Sequence, residues 1–184
     1  MKKLIKIVLL SVCMVPVTAL GEGVLVEIDP LTFAKDGYSL HLRYKLGHFA
    51  LGAGGYALDL PQFVTEINAS NKGWEDRIDS GIVLFLDYLF DNSLEGWLVG
   101  LEFTHQKHIV SYENEEAEFG AMLYLLRAGY HYRLLSKSSL YFFPWVGAGY
   151  MEQTSGNRSV ETLDKEFDIS PVAGFATLHV GYEF

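Results

Sequence analysis

Tyr38-Ser39-Leu40-His41-Leu42-Arg43-Tyr44-Lys45-Leu46 puts Tyr38, Leu40, Leu42, Tyr44 and Leu46 at every second position, with Ser39, His41, Arg43 and Lys45 between them. Successive side chains of an extended chain point to opposite faces, so this stretch is a strand with one apolar face and one polar, partly charged face. Two kinds of fold use such a strand. A water-soluble sandwich buries the apolar face and wets the polar one. A closed barrel in a bilayer turns the apolar face to lipid and the polar face inward. One strand does not separate the two; the layout of the whole chain does.

The alternation recurs in segments of roughly ten residues, the length of a membrane-crossing strand. Eight strands are expected, at about 22–29, 37–46, 49–58, 79–90, 96–105, 119–133, 139–153 and 170–184. Short turns fall at 47–48, 91–95 and 134–138, and longer connections at 30–36, 59–78, 106–118 and 154–169. Short turns on one side and long loops on the other is the layout of outer-membrane barrels, and a sandwich has no reason to sort its loops this way. No later window holds the ~20 consecutive apolar residues of a membrane helix. The expected fold is therefore all-β: an eight-stranded antiparallel up-and-down transmembrane β-barrel over residues 22–184.

Residues 1–21 read as a cleaved secretory signal. Lys2, Lys3 and Lys6 form a positive start, an apolar run follows at 7–17, and Val17-Thr18-Ala19 and Ala19-Leu20-Gly21 offer small residues for cleavage. The one cysteine, Cys13, lies in this segment, so residues 22–184 have no disulfide or thiol chemistry. The 14 Lys+Arg less these three lysines, against 23 Asp+Glu, leave residues 22–184 at −12. With an isoelectric point near 5.1, nucleic acid is excluded as a partner, because phosphate binding needs clustered Lys and Arg.

The strand facing sends Glu27, Arg43, Lys45, Asp87, Glu102, Arg127, Arg133 and Glu183 inward, four acids and four bases. Eight strands enclose room only for their own side chains, and unpaired charge there is costly. A side-chain-filled interior with a balanced charge network is expected. The histidines His41, His131 and His179 read as hydrogen-bonded filling, and Tyr141, Phe143 and Trp145 as an apolar part of the same interior. The acidic excess falls in loops, at Glu113, Glu115, Glu116 and Glu118 and at Glu161, Asp164, Glu166 and Asp168. Tyr38, Tyr44, Tyr88, Phe90, Trp97, Tyr130, Tyr132, Tyr150, Tyr182 and Phe184 lie on apolar faces near strand ends, where aromatic rings suit a membrane–water boundary. Two segments are less regular. The facing of the Gly- and Ala-rich stretch 49–58 is ambiguous, and Pro144 suggests a bulge in its strand.

The ending Leu178-His179-Val180-Gly181-Tyr182-Glu183-Phe184 sets apolar residues at alternate positions and closes on an aromatic. On that terminal strand and on its architecture, the chain resembles the small outer-membrane barrels of the OmpA, OmpX and OmpW type, over essentially all of residues 22–184. The resemblance implies the bacterial outer membrane as location, with membrane lipid and lipopolysaccharide around a monomer. It implies recognition by the barrel-assembly machinery through Leu178, Val180, Tyr182 and Phe184. It implies no cofactor and assigns no catalytic or metal residue. Three functional readings stay open: a structural or surface-interaction protein with acidic outer loops, which is the primary one; a passage for small or apolar solutes; and an acyl hydrolase acting on lipid A. For the last, His105, His108, Ser111 and Glu113 are the candidates, since a Ser–His–carboxylate set hydrolyses acyl esters. Lys107 stands where a closely spaced His-x-Ser would have serine. Residues 113–118 lack the ordered ligand spacing of a calcium loop.

Overall fold

The computed structural model describes residues 22–133, 135 and 138–184. The expected signal segment and Cys13 lie outside the described residues. The strands are β1 (Glu22–Ile28), β2 (Tyr38–Leu46), β3 (Phe49–Asp59), β4 (Glu75–Leu89), β5 (Gly96–Tyr112), β6 (Glu115–His131), β7 (Leu140–Gly156), β8 (Ser159–Val160), β9 (Lys165–Glu166) and β10 (Val172–Glu183). Eight of them form one antiparallel sheet closed into a ring, each pairing with its neighbour in sequence and β10 pairing with both β7 and β1. The short β8–β9 hairpin stands apart, in the connection from β7 to β10. Two single-turn helices, α1 (Pro30–Phe33) and α2 (Gln62–Thr65), sit in the connections after β1 and β3.

The alternation sets the facing. In β2, Ser39, His41, Arg43 and Lys45 are buried inside the ring while Leu40, Leu42, Tyr44 and Leu46 are exposed on its outside. The register carries this around the sheet: Val24, Tyr44, Leu51, Leu86, Leu101, Leu126 and Ala148 form one row of mutual strand partners. The leucines of that row are exposed by between 43% and 64%, an inversion of the soluble-protein rule. At the end carrying the three short turns, aromatic rings follow one another around the outside, with Tyr88 against Phe49 and Phe90, Trp97 against Tyr130, and Tyr182 against Phe184. In the 90–95 turn, the backbone N–H of Ser93 donates to Asp91 and holds that carboxyl below its ordinary range.

Several expectations need correction. The stretch 106–118 is not a loop: β5 and β6 run through it and meet at Glu113-Asn114, whose φ angles of 49° and 70° make a tight hairpin turn. The reason is that the outward positions past Phe103 turn polar at His105, Lys107 and Ser111, with only Ile109 apolar among them, which erases the alternation without ending the strand. The wall of the ring is consequently uneven, 15 to 17 residues tall in β4, β5, β6 and β7 but 7 to 11 in β1, β2 and β3. The connections 60–74 and 157–171 are also tied together. Asn71 donates to the carbonyl of Asp168 and accepts from its N–H, both at 2.9 Å. Trp74, Phe119 and Phe167 pack beneath them as a second small core. Finally, Pro144 causes no bulge. It pairs in register with Leu178, and β6 and β7 keep one register on either side of it. The bulges fall at 56–58, 78–80 and 120–121.

The hairpin turn makes a direct test. Replacing Asn114 by Val puts a β-branched residue at positive φ and should cost about 1–2 kcal/mol relative to Asn114→Gly. Denaturant unfolding in detergent reads the difference, and equal midpoints would contradict the turn.

Candidate functional site: a half-filled interior

Seven of the eight ring strands send a polar or charged group to one cluster. Asp87 on β4 is at its centre, with no exposed surface. It accepts from Arg43 Nη2 at 2.5 Å, and from Arg127 Nε and Nη2 at 2.9 and 2.7 Å. Arg43 Nη1 donates to Glu27 at 2.6 Å and lies 3.1 Å from His131 Nε2. Arg127 Nη1 donates to Glu102 at 3.0 Å. Glu27 also accepts from the Tyr141 hydroxyl at 2.7 Å and lies 3.1 Å from His179 Nδ1. The guanidiniums are walled by rings, Arg127 being 4.4 Å from the centre of Phe85 and Arg43 5.4 Å from that of Phe143. Small neighbours make the room. A Cβ on Gly100, opposite Asp87, would lie 1.9 Å from its carboxylate, and one on Gly52 would lie 2.2 Å from the Phe85 ring. The inward row of β3 begins Ala50, Gly52 and Gly54 before reaching Tyr56, which is why its facing could not be read from polarity.

The structure thus brings Glu27, Arg43, Asp87, Glu102 and Arg127 into one network. The other inward charges stand nearer the short turns. Lys45 Nζ is 3.3 Å from Asn92 Oδ1. Arg133 and Glu183 pair at the half-buried rim, where Arg133 also donates to the carbonyl of Ser138. Leu178, Tyr182 and Phe184 are exposed on the outside and Val180 is half-buried, while the Phe184 N–H donates to the Val24 carbonyl at 3.0 Å.

Toward the tall end the interior opens. The expectation of a side-chain-filled interior needs amending, because a cavity of about 700 Å³ lies there. The charge network forms part of its boundary through Glu102, Arg127, His41 and His179. Its walls include Ile78, Val83, Phe85, Leu123, Leu125 and Phe175, and its rim includes Leu31 of α1 and Phe63 of α2. On one side the wall is not a strand. The β1–β10 ladder stops at Ile28 and Val180, because Pro30 starts α1 and Asp29 caps it, so β10 from 172 to 179 has only β7 as partner. A bond from the Thr177 hydroxyl to Asp29 at 2.5 Å spans that gap. Sequence reasoning named Trp145 as part of an apolar interior but missed the rest of the cavity wall. The available signal was the loss of alternation in Ile82-Val83-Leu84-Phe85-Leu86, where both faces are apolar.

The hydrolase candidates are not assembled. His108 faces inward, 2.9 Å from Asp76 and stacked on Phe119, while His105 faces outward. Ser111 is three residues beyond His108 and so on the opposite face of the strand. The Glu27, His41 and His179 donor atoms lie within 4.8 Å of one another, but the two imidazoles stack at 26°. Their in-plane lone pairs run side by side instead of converging on one ion, and Glu27 is already engaged by Arg43 and Tyr141. This arrangement does not fit a metal. Comparison with family models, with curated proteins and with solved structures finds no match.

Removing the central carboxylate tests the network. Asp87→Ala leaves two buried guanidiniums short of their shared partner and should destabilise by about 3–5 kcal/mol in denaturant unfolding. A loss below about 1 kcal/mol would show that the network does not organise the interior.

Proposed function

We propose that this chain is an integral β-barrel of the bacterial outer membrane that holds a small, largely apolar molecule in the open half of its interior. Membrane insertion is supported by the inside-out burial. The outer surface carries a continuous belt of exposed Leu, Phe, Tyr and Trp far beyond the few hundred Å² of apolar patch that soluble monomers expose. The interior carries the charges. Where the ring is closed, below the end of the β1–β10 ladder, it also satisfies its backbone groups internally, as lipid requires. The short turns and both ends of the described ring lie on one side, taken here as periplasmic, and the tall strands β4–β7 stand outside. The exposed Leu178, Tyr182 and Phe184 support engagement by the assembly machinery.

The cavity carries the functional part. Its volume of about 700 Å³ is in the range of small-molecule sites, which combine apolar walls with a few polar groups. The network across the ring argues against a conducting passage, since Arg43, Asp87, Arg127, Glu27 and the Tyr141 and Phe143 rings occupy the path.

The protein in nanodiscs should therefore bind N-phenyl-1-naphthylamine, a neutral apolar fluorophore, saturably and above an empty-nanodisc control. Leu125→Trp, which fills the cavity, should weaken that binding at least tenfold while the unfolding transition persists. Planar-bilayer recordings should show no stable conductance. Binding that Leu125→Trp leaves unchanged, or steady ion current, would overturn the reading.

Assembly is tested separately. Deleting Phe184 removes little interior packing, because the ring is exposed, so the variant should refold in detergent like the parent. In cells its outer-membrane yield should fall sharply, and normal yield would remove the recognition role.

A further inference from the structure

The charges around the cavity do not balance. Four carboxylates are buried in or beside it, those of Glu27, Asp29, Asp87 and Glu102, against two buried guanidiniums, Arg43 and Arg127. Both guanidiniums are already shared: Arg43 bridges Glu27 and Asp87, and Arg127 gives two of its three bonds to Asp87. The two carboxylates that line the cavity are the least compensated. Glu102 takes one N–H from Arg127 and the Thr104 hydroxyl at 3.1 Å. Asp29 takes the Leu31 N–H at 2.8 Å and the Thr177 hydroxyl, and among the described residues no Lys or Arg pairs with it. Among the described residues no other Lys or Arg is buried in the cavity wall. Lys45 is at the short-turn end beside Asn92, and Lys35 is exposed at the cavity rim. The remaining polar liners include Ser39, Tyr56 and Thr32 and the stacked imidazoles of His41 and His179.

An apolar chamber with an excess of buried carboxylate attracts a guest that brings positive charge into low dielectric. Aromatic walls such as Trp145 and Phe175 favour the same guest. We infer that the molecule held in this cavity is an amphiphilic organic cation, with an amine or ammonium head near Glu102 and Asp29 and an apolar body against Val83, Leu123 and Leu125. This rests on the binding role proposed above and names the class of ligand.

Three probes with one ten-carbon chain separate the two claims: decylamine, decanol and decanoate, titrated calorimetrically into the protein in zwitterionic nanodiscs at neutral pH and 150 mM salt, with empty nanodiscs subtracted. Decylamine should bind at least tenfold more tightly than decanol, and decanoate most weakly. The decylamine-to-decanol affinity ratio should fall at least fivefold in Glu102→Gln, which keeps an acceptor for Arg127. It should fall likewise in Asp29→Asn, which keeps a capping side chain for α1. Equal affinities for amine and alcohol, a preference for decanoate, or an unchanged ratio in both variants would overturn the cationic guest while leaving the pocket standing. No saturable binding of any probe to the parent protein would overturn the pocket itself.

Discussion

Asp87 holds two guanidiniums at once, and the interior of the ring is arranged around that fact. Removing three carboxylates and two arginines from water costs several kcal/mol per ion unless each finds partners of good geometry. Here the network supplies most of those partners, because strands on opposite sides of a narrow ring aim them at one point. Arg43 comes from β2, Asp87 from β4 and Arg127 from β6. Gly100 and Gly52 leave the space those side chains need. The same network closes the ring's short-turn half, which is why the interior supports a binding chamber better than a channel.

The uneven wall does the rest. β1 is short because Pro30 cannot continue the ladder and is suited to the first turn of a helix that Asp29 caps. On that side α1 replaces a strand, while β4 to β7 rise well above it. The tied connections 60–74 and 157–171, with Trp74 and Phe167 beneath them, brace the tall side. Network and uneven wall together leave an apolar chamber with a charged wall.

Much of the ring was legible in the sequence because its outer face is so regular. Leu40, Leu42 and Tyr44 against His41, Arg43 and Lys45 declare both period and facing, and the register then follows from short turns. Legibility failed where the alternation loses contrast. In β3 the inward residues up to position 54 are Ala and Gly, which carry no polarity, and only Tyr56 beyond them has a polar tip. In 106–118 most outward residues are polar, because the hairpin stands beyond the apolar belt, while the inward side mixes Gln106 and His108 with Val110 and Ala117. In 82–86 both faces are apolar, because the inward side lines a cavity. The ionic residues could be named singly from their facing, whereas their joining through Asp87 depends on which strands lie across the ring. The tie between Asn71 and Asp168 joins residues nearly a hundred positions apart and left no periodic trace.

The claim on which everything else rests is that the belt of exposed leucines faces lipid. Residues 22–184 contain no cysteine, so single cysteines at Leu51, Leu86, Leu101 and Leu126 can each carry a fluorophore in turn. With the protein in liposomes, a nitroxide quencher attached to the lipid chains should quench all four labels strongly, and a water-soluble quencher such as iodide should leave them nearly untouched. Labels that iodide quenches and the lipid-borne nitroxide does not would place this belt in water and contradict the account.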